Sequence, residues 1–251
     1  MSEEFLRSTY ITGDKIDFHP RHIADFLEGK SIYPICVELD MTNACNHRCP
    51  MCPTLEYKPE GFTFHKATQI IDELVECGIK AITFTGGGEP LVNKETVTTI
   101  EYAFSKGIDV GLISNGGLLR TQEDAETIVR SCTWCRISLD AADAKQFNET
   151  HGVNAAAWNK TLNGVKLLVD AKKKTNSNCT LGLGYLTGKH TVNGMYGFAK
   201  IARDFGVDYA QFRPFHQFQP EKPLEDQEKY KVEMAVEEVF HPGDILRARF
   251  R

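Results

Sequence analysis

Three cysteines stand close together early in the chain, within the run Cys45-Asn46-His47-Arg48-Cys49-Pro50-Met51-Cys52. Three thiolates on one loop can bind three irons of a cubane iron–sulfur cluster, which normally takes four cysteines. The fourth iron then has no protein ligand and is free to bind a substrate or a cofactor. The spacing C-x3-C-x2-C is therefore suited to a [4Fe–4S] cluster with one open iron.

Zinc is the alternative occupant of the same loop. A structural zinc ion takes four Cys or His ligands, and His47 lies inside the loop as a fourth donor. Clustered cysteines in a reducing compartment bind metal or carry redox chemistry more often than they form disulfides. The spacing alone leaves zinc and redox cysteines open beside the iron–sulfur cluster.

Glycine-rich and polar motifs follow the next three predicted strands. They are Thr85-Gly86-Gly87-Gly88-Glu89-Pro90, Ser114-Asn115-Gly116 and Ser138-Leu139-Asp140. Glycines let a backbone approach a ligand, and the Glu89 carboxylate can accept hydrogen bonds from an ammonium group. Each motif alone also fits an ordinary turn or helix cap, so their order along the chain carries the argument.

Strand and helix patterns alternate along the chain, which predicts a parallel sheet of the α/β class. Strands are predicted over 35–41, 81–85, 109–114, 134–140, 180–185 and 208–214. Helices are predicted over 21–28, 66–76, 94–105, 123–130, 156–173, 192–205 and 224–239. The expected organisation is a lead-in over 1–32, a barrel over 33–216 and a helical tail over 217–251.

The predicted strands alternate polar and apolar residues. Glu38 and Asp40 share one face of the first strand, Arg136 and Ser138 one face of the fourth, and Gln211 lies on the corresponding face of the sixth. A parallel sheet covered on both faces reads as continuous apolar runs, and a closed eight-stranded barrel has branched apolar residues at its centre. An open six-stranded barrel around a polar cavity fits better.

From about Tyr33 to Phe215 the chain resembles the radical S-adenosylmethionine (radical SAM) superfamily in the order and placement of these motifs. Within it, Ile137-Ser138-Leu139-Asp140 is closest to the molybdenum-cofactor-synthesis and peptide-maturase branch. The resemblance implies a partial (β/α)6 open TIM-like barrel, with a [4Fe–4S] cluster bound by Cys45, Cys49 and Cys52. It also implies S-adenosylmethionine at the open iron. In that family one electron cleaves this cofactor to methionine and a 5′-deoxyadenosyl radical, which abstracts hydrogen from a substrate.

The resemblance also implies cofactor contacts, while leaving the catalytic residues unknown. The implied contacts are Met51, Gly87, Gly88, Glu89, Asn115, Ser138, Gly184 and Arg213. Met51 matches an apolar position against adenine, and Gly182 and Gly184 are expected to leave room for adenosine. Arg213 is expected to bind either the cofactor carboxylate or an anionic substrate.

Composition excludes several functional classes. The chain carries 29 Lys+Arg against 34 Asp+Glu, a net charge of −5, so no basic field points to nucleic acid or an anionic membrane. The acidic start lacks the apolar stretch of a secretory signal, and no apolar run has the length of a membrane span. We therefore expect a cytoplasmic protein that binds neither nucleic acid nor membrane.

The other five cysteines are expected to be ordinary or buried thiols. They are Cys36, Cys77, Cys132, Cys135 and Cys179. The last three lie on neighbouring predicted strands, so a shared metal is the alternative for them.

The expected substrate is a small polar molecule, such as a sugar or nucleoside derivative, that is isomerised, epimerised or cleaved by elimination. No cysteine follows Cys179, so no auxiliary-cluster extension is expected within this sequence. One alternative is an activase or another radical SAM enzyme that modifies a peptide or protein. The other is a non-catalytic iron–sulfur or zinc-binding protein. The resemblance further implies an external electron donor such as flavodoxin or ferredoxin.

Overall fold

The computed structural model of the protein describes residues 18–52, 60–188 and 190–214, together with the backbone of 247–249. Strands and helices alternate as predicted. The strands are β1 (Cys36–Asp40), β2 (Ala81–Thr85), β3 (Asp109–Ser114), β4 (Trp134–Ser138), β5 (Thr180–Thr187), β6 (Tyr209–Pro214) and β7 (Arg247–Arg249).

Seven α-helices belong to the described residues. They are α1 (Pro20–Leu27), α2 (Phe64–Glu76), α3 (Thr96–Ser105), α4 (Gln122–Ser131), α5 (Ala144–His151), α6 (Ala155–Thr175) and α7 (Met195–Phe205). Short 3-10 helices cover Pro90–Val92 and Val192–Gly194. Helix α5 was not predicted; it begins where the side chain of Asp143 accepts the Gln146 N–H. None of the described helices is long and apolar enough to cross a membrane.

The sheet is open. Each strand from β1 to β6 pairs in parallel with the next, and among the described strands β1 and β6 do not meet. The partial (β/α)6 barrel is therefore confirmed. Strand β7, which was not predicted, pairs antiparallel with β6. The predicted helix over 224–239 lies outside the described residues.

The two faces of the sheet differ as the alternation predicts. The face against the helices is apolar and buried, with Leu39, Phe84, Leu112, Ile137, Leu183 and Phe212. The opposite face carries polar side chains, among them Glu38, Asp40, Thr83, Arg136, Ser138 and Gln211. Because side chains point alternately to the two faces of a strand, helix packing on one face leaves the other for a polar ligand.

Candidate functional site

The cysteine loop follows β1 directly, so it lies at the carboxyl edge of the sheet, where α/β barrels build their active sites. Cys45, Cys49 and Cys52 are free and half-buried. Burial raises the pKa of the Cys49 thiol to about 12, and the neighbouring Cys45 and Cys52 add to the rise. The three thiols thus lie near enough for Cys45 and Cys52 to act on the charge of Cys49. A metal bound by them must displace their protons. This donor set fits the cubane cluster.

Three neighbouring elements anchor the cysteine loop by hydrogen bonds. Glu89 N donates to Ala44 O at 2.9 Å, Asn115 Nδ2 to Asn46 Oδ1 at 2.9 Å, and Arg48 N to His151 O at 3.0 Å. These contacts come from the ends of β2 and β3 and from the last turn of α5. The motifs after the strands therefore position the loop that carries the cysteines.

Glu89 is 3% exposed and joins the ends of β2 and β3. Its Oε1 accepts hydrogen bonds from Ser114 Oγ at 2.6 Å and Leu91 N at 3.0 Å, and its Oε2 accepts one from Asn115 N at 2.7 Å. Burial raises the pKa of Glu89, while these three donors oppose the rise. Glu89 thus has a structural role that the sequence did not reveal, and its contact with the cofactor amino group stays a prediction.

The glycines beside Glu89 allow two backbones to pack closely. A Cβ on Gly88 would lie 2.2 Å from the carbonyl oxygen of Ala44 and 2.6 Å from that of Thr42. Gly87 N donates to Asp40 Oδ2 at 2.9 Å. This close approach between the β2 motif and the loop after β1 explains the glycine run without any ligand.

His47 and His151 lie beside Cys49, and their ligand atoms and the thiol fall within 4.8 Å of one another. His47 is buried, and among the described residues its Nδ1 has no hydrogen-bond partner. Burial lowers the pKa of His47 to about 4 and of His151 to about 3, so both rings are neutral. His151 Nε2 donates to the Ser138 carbonyl oxygen at 3.2 Å and its Nδ1 lies 3.0 Å from Thr150 Oγ1. Because both nitrogens of His151 are engaged, a metal ion bound by this trio would have to displace one of these hydrogen bonds.

Aromatic rings cover two glycines of the polar face that lie before the carboxyl ends of their strands. A Cβ on Gly182 would lie 2.0 Å from the Tyr209 ring, and one on Gly111 would lie 2.4 Å from the Trp134 ring. The expectation that Gly182 leaves room for adenosine is therefore wrong, because Tyr209 fills that space. At Gly184 the nearest atom is Cδ of Arg136, at 3.5 Å, so the predicted contact there stays a prediction.

The remaining predicted contacts lie at the same edge of the sheet. Ser138 ends β4 and is partly exposed, Met51 is half-buried in the cysteine loop, and Arg213 is exposed near the end of β6. Asn115 is 8% exposed and is engaged with Glu89 and Asn46. Their roles toward a cofactor remain predictions.

Sequence reasoning missed two residues of this site. The alternation of the fourth strand placed Arg136 on the polar face, but no role was assigned to it. The signal that could have revealed a role is a single cation on that face. His151 carried no signal at all, because its contact with the cysteine loop depends on the unpredicted helix α5.

The other buried cysteines do not form a second metal site. Cys132, Cys135 and Cys179 lie in the hydrophobic core, and burial raises the pKa of each thiol. Within the described ranges, His47, Cys49 and His151 are the one set of three His, Cys, Asp or Glu residues whose ligand atoms all lie within 4.8 Å of one another, as a single metal ion requires; the three cysteines of the loop would each bind a different iron of a cluster. Ordinary buried thiols are the interpretation that fits.

Asp140 lies just beyond β4 in a left-handed backbone conformation, with φ of 47°. It is 7% exposed, and its Oδ1 accepts a hydrogen bond from Leu186 N at 2.6 Å. Burial raises the pKa of Asp140 to about 6, although the Leu186 N–H and the charges of Arg213 and Arg136 oppose the rise. The protonated form of this carboxyl is therefore more favoured in the folded protein than in the unfolded chain.

This raised pKa predicts a pH dependence of stability. A carboxyl whose folded pKa lies above its unfolded value of about 4 stabilises the fold below pH 4, and that contribution is lost as the pH rises through 6. Asp140→Asn keeps the acceptor and tolerates the left-handed conformation but does not titrate. In urea unfolding of the metal-free protein, the free energy of unfolding of Asp140→Asn relative to that of wild type should rise by about 2–3 kcal/mol between pH 4 and pH 7.

Asp143→Asn is the matched control, because Asp143 is exposed and asparagine caps a helix equally well. The difference in free energy of unfolding between Asp143→Asn and wild type should vary little between pH 4 and pH 7. A flat difference for Asp140→Asn would show that Asp140 does not titrate with a raised pKa.

Comparison with known proteins agrees with this geometry. The family model described as Radical SAM superfamily matches residues 39–192. The mycofactocin maturase MftC of Mycobacterium ulcerans is 26% identical over 190 residues, covering 75% of this chain and 49% of the relative. An AdoMet-dependent heme synthase of Nitratidesulfovibrio vulgaris is 28% identical, covering 59% and 41%. A GTP 3′,8-cyclase of Haemophilus influenzae is 27% identical, covering 56% and 44%.

Solved structures agree on the fold. Streptococcus suis SuiB bound to S-adenosylmethionine superposes with a TM-score of 0.62 at 14% identity, covering 86% of this chain and 48% of SuiB. The chain thus spans half or less of the length of these relatives and of this structural neighbour.

Proposed function

The chain belongs to the radical SAM superfamily, whose enzymes use a [4Fe–4S] cluster and S-adenosylmethionine, and we propose that it abstracts hydrogen from a small polar substrate. When bound, the cluster and S-adenosylmethionine together supply a 5′-deoxyadenosyl radical. The substrate would be a sugar-like or nucleoside-like molecule that undergoes isomerisation, epimerisation or elimination.

The cysteine loop would hold the cluster, and its anchors would keep the three thiols together. Cys45, Cys49 and Cys52 would be the ligands. The cofactor would lie against Met51, Gly87, Gly88, Glu89, Asn115, Ser138, Gly184 and Arg213. The bonds from Glu89, Asn115 and His151 to this loop support its role, because ligand geometry depends on such outer contacts.

The polar face of the sheet is the observation that carries the substrate class. It begins at the cysteine loop and carries Glu38, Thr83, Arg136 and Gln211. Such groups bind hydroxyls, amides and charges rather than an apolar molecule. On the same face the rings of Trp134 and Tyr209 cover Gly111 and Gly182, so these two glycines leave no open space there.

A peptide or protein substrate, including one bound by an activase, is the second candidate. Its support is the name of the relative MftC, a maturase. An external electron donor such as flavodoxin or ferredoxin would supply the electron in either case. We also propose the division into 1–32, 33–216 and 217–251, with the barrel as the catalytic part.

The test is anaerobic reconstitution with iron and sulfide, reduction by dithionite, and quantification of 5′-deoxyadenosine from S-adenosylmethionine. Sugars, nucleotides and peptides are then added in parallel, and the class that increases 5′-deoxyadenosine identifies the substrate. A cluster that forms without any cleavage would favour a non-catalytic iron–sulfur protein. Protein that retains zinc and takes up no iron would contradict the proposal.

A further inference from the structure

Arg136 lies on the polar face of β4 and carries a charge that no carboxylate of the described residues pairs with. Its Nη1 donates to Gln211 Oε1 at 2.6 Å, while its buried Nε has no hydrogen-bond partner within the described part of the chain. A guanidinium remains charged at physiological pH, and shielding such a charge from water is costly unless it is paired. The Nε–Nη2 edge of Arg136 is therefore available to an acceptor from outside this part of the chain.

The surroundings of Arg136 strengthen the preference for an anion. Burial, together with the charge of Arg213, lowers the pKa of Arg136, while the charge of Asp140 opposes the lowering without an ion pair to Arg136 among the described residues. Two arginines and one carboxylate therefore act on the same part of the polar face. The side chain crosses β5 at Gly184, where an added Cβ would lie 3.5 Å from Arg136 Cδ. Gln211 on β6 then accepts from the far end of Arg136. The guanidinium is thus held across three strands with one edge unpaired.

The position of Arg136 along β4 puts it where a substrate, rather than the cofactor, would bind. Ser138 ends β4 at the edge that carries the cysteine loop, and Arg136 precedes it by two residues, or about 6.5 Å along the strand. A cofactor held at the cysteine loop would lie closer to the carboxyl edge of the sheet than Arg136 does. A substrate bound on the polar face below that cofactor would contact Arg136.

We propose that Arg136 binds the anionic group, a carboxylate or phosphate, of the substrate. The Nε–Nη2 edge matches either group by two parallel hydrogen bonds, and Gln211 fixes the orientation of the guanidinium. This proposal rests on the proposed function, since it specifies the substrate of the same site. The carboxylate of S-adenosylmethionine offers the same chemistry, and the experiment distinguishes the two sources.

The experiment is a calorimetric titration of the cluster-reconstituted protein with inorganic phosphate, without reductant and with or without saturating S-adenosylmethionine. We expect saturable phosphate binding that S-adenosylmethionine leaves unchanged. Arg136→Gln should weaken it at least about tenfold, and Arg136→Lys, which keeps the charge but loses the fork, should weaken it less. Arg203→Gln, at an exposed arginine of α7, is the matched control and should bind as wild type does.

Two results would overturn the proposal. One is absence of saturable phosphate binding, or equal binding by wild type, Arg136→Gln and Arg136→Lys. The other is displacement of phosphate by S-adenosylmethionine, which would assign Arg136 to the cofactor carboxylate. Because the titration needs no turnover, its result is independent of whether S-adenosylmethionine is cleaved. Unfolding curves of both Arg136 variants show whether a loss of binding reflects a loss of folding.

Discussion

Replacing any one of Cys45, Cys49 and Cys52 with alanine is expected to reduce 5′-deoxyadenosine formation by more than about 100-fold. Residues that only orient a metal ligand already account for 10–100-fold in activity, so loss of a ligand should exceed that range. The cluster would have three protein ligands in this loop, and each variant would leave two. Iron and sulfide content after reconstitution, measured beside 5′-deoxyadenosine, separates loss of the cluster from loss of catalysis.

Cys77→Ala is the matched control for these three variants. Cys77 is also free and half-buried, but it caps the end of α2, away from the cysteine loop. It should keep wild-type iron content and activity. If Cys77→Ala loses as much iron as Cys49→Ala, the assignment of ligands would be wrong, and so it would be if a Cys49→Ala variant kept a full cluster and full activity.

The sequence predicted the sheet well because its main signal is local. A strand shows its two faces through alternate residues, and Glu38 and Asp40 on one side of Leu39 reveal which face is polar before any contact is known. The order of the motifs likewise places their residues at one edge, since parallel strands all end there.

Contacts between side chains that are distant in the sequence could not be predicted from these local patterns. Nothing in the spacing shows that Tyr209 covers Gly182, or that Arg136 crosses Gly184 to reach Gln211. The pairing of β7 with β6 was missed for the same reason, because an edge pairing between distant segments depends on tertiary structure.

The polar motifs have a structural role that the sequence could not separate from their predicted contact with a cofactor. Glu89 was predicted as a cofactor contact, yet its carboxylate accepts hydrogen bonds from Ser114, Leu91 and Asn115. A buried carboxylate with three internal donors stabilises the ends of β2 and β3 whatever else it binds. The motif therefore stabilises the site, and its contact with the cofactor stays a prediction.

Gly88→Ala should show how strongly the site depends on backbone fit. The new Cβ would lie 2.2 Å from Ala44 O, immediately before Cys45, and a backbone carbonyl cannot move aside as a flexible side chain can. We expect a loss of about 2–3 kcal/mol in the free energy of unfolding, the upper range for overpacking, and a marked loss of iron on reconstitution. The control is Gly78→Ala, where φ is +80° and no atom lies within 4 Å of the added Cβ; it should lose only about 1 kcal/mol from the left-handed conformation and keep its iron. Urea unfolding and iron analysis of both variants make the comparison. If Gly88→Ala assembled a full cluster at wild-type stability, the close contact between the two loops could not be what positions Cys45.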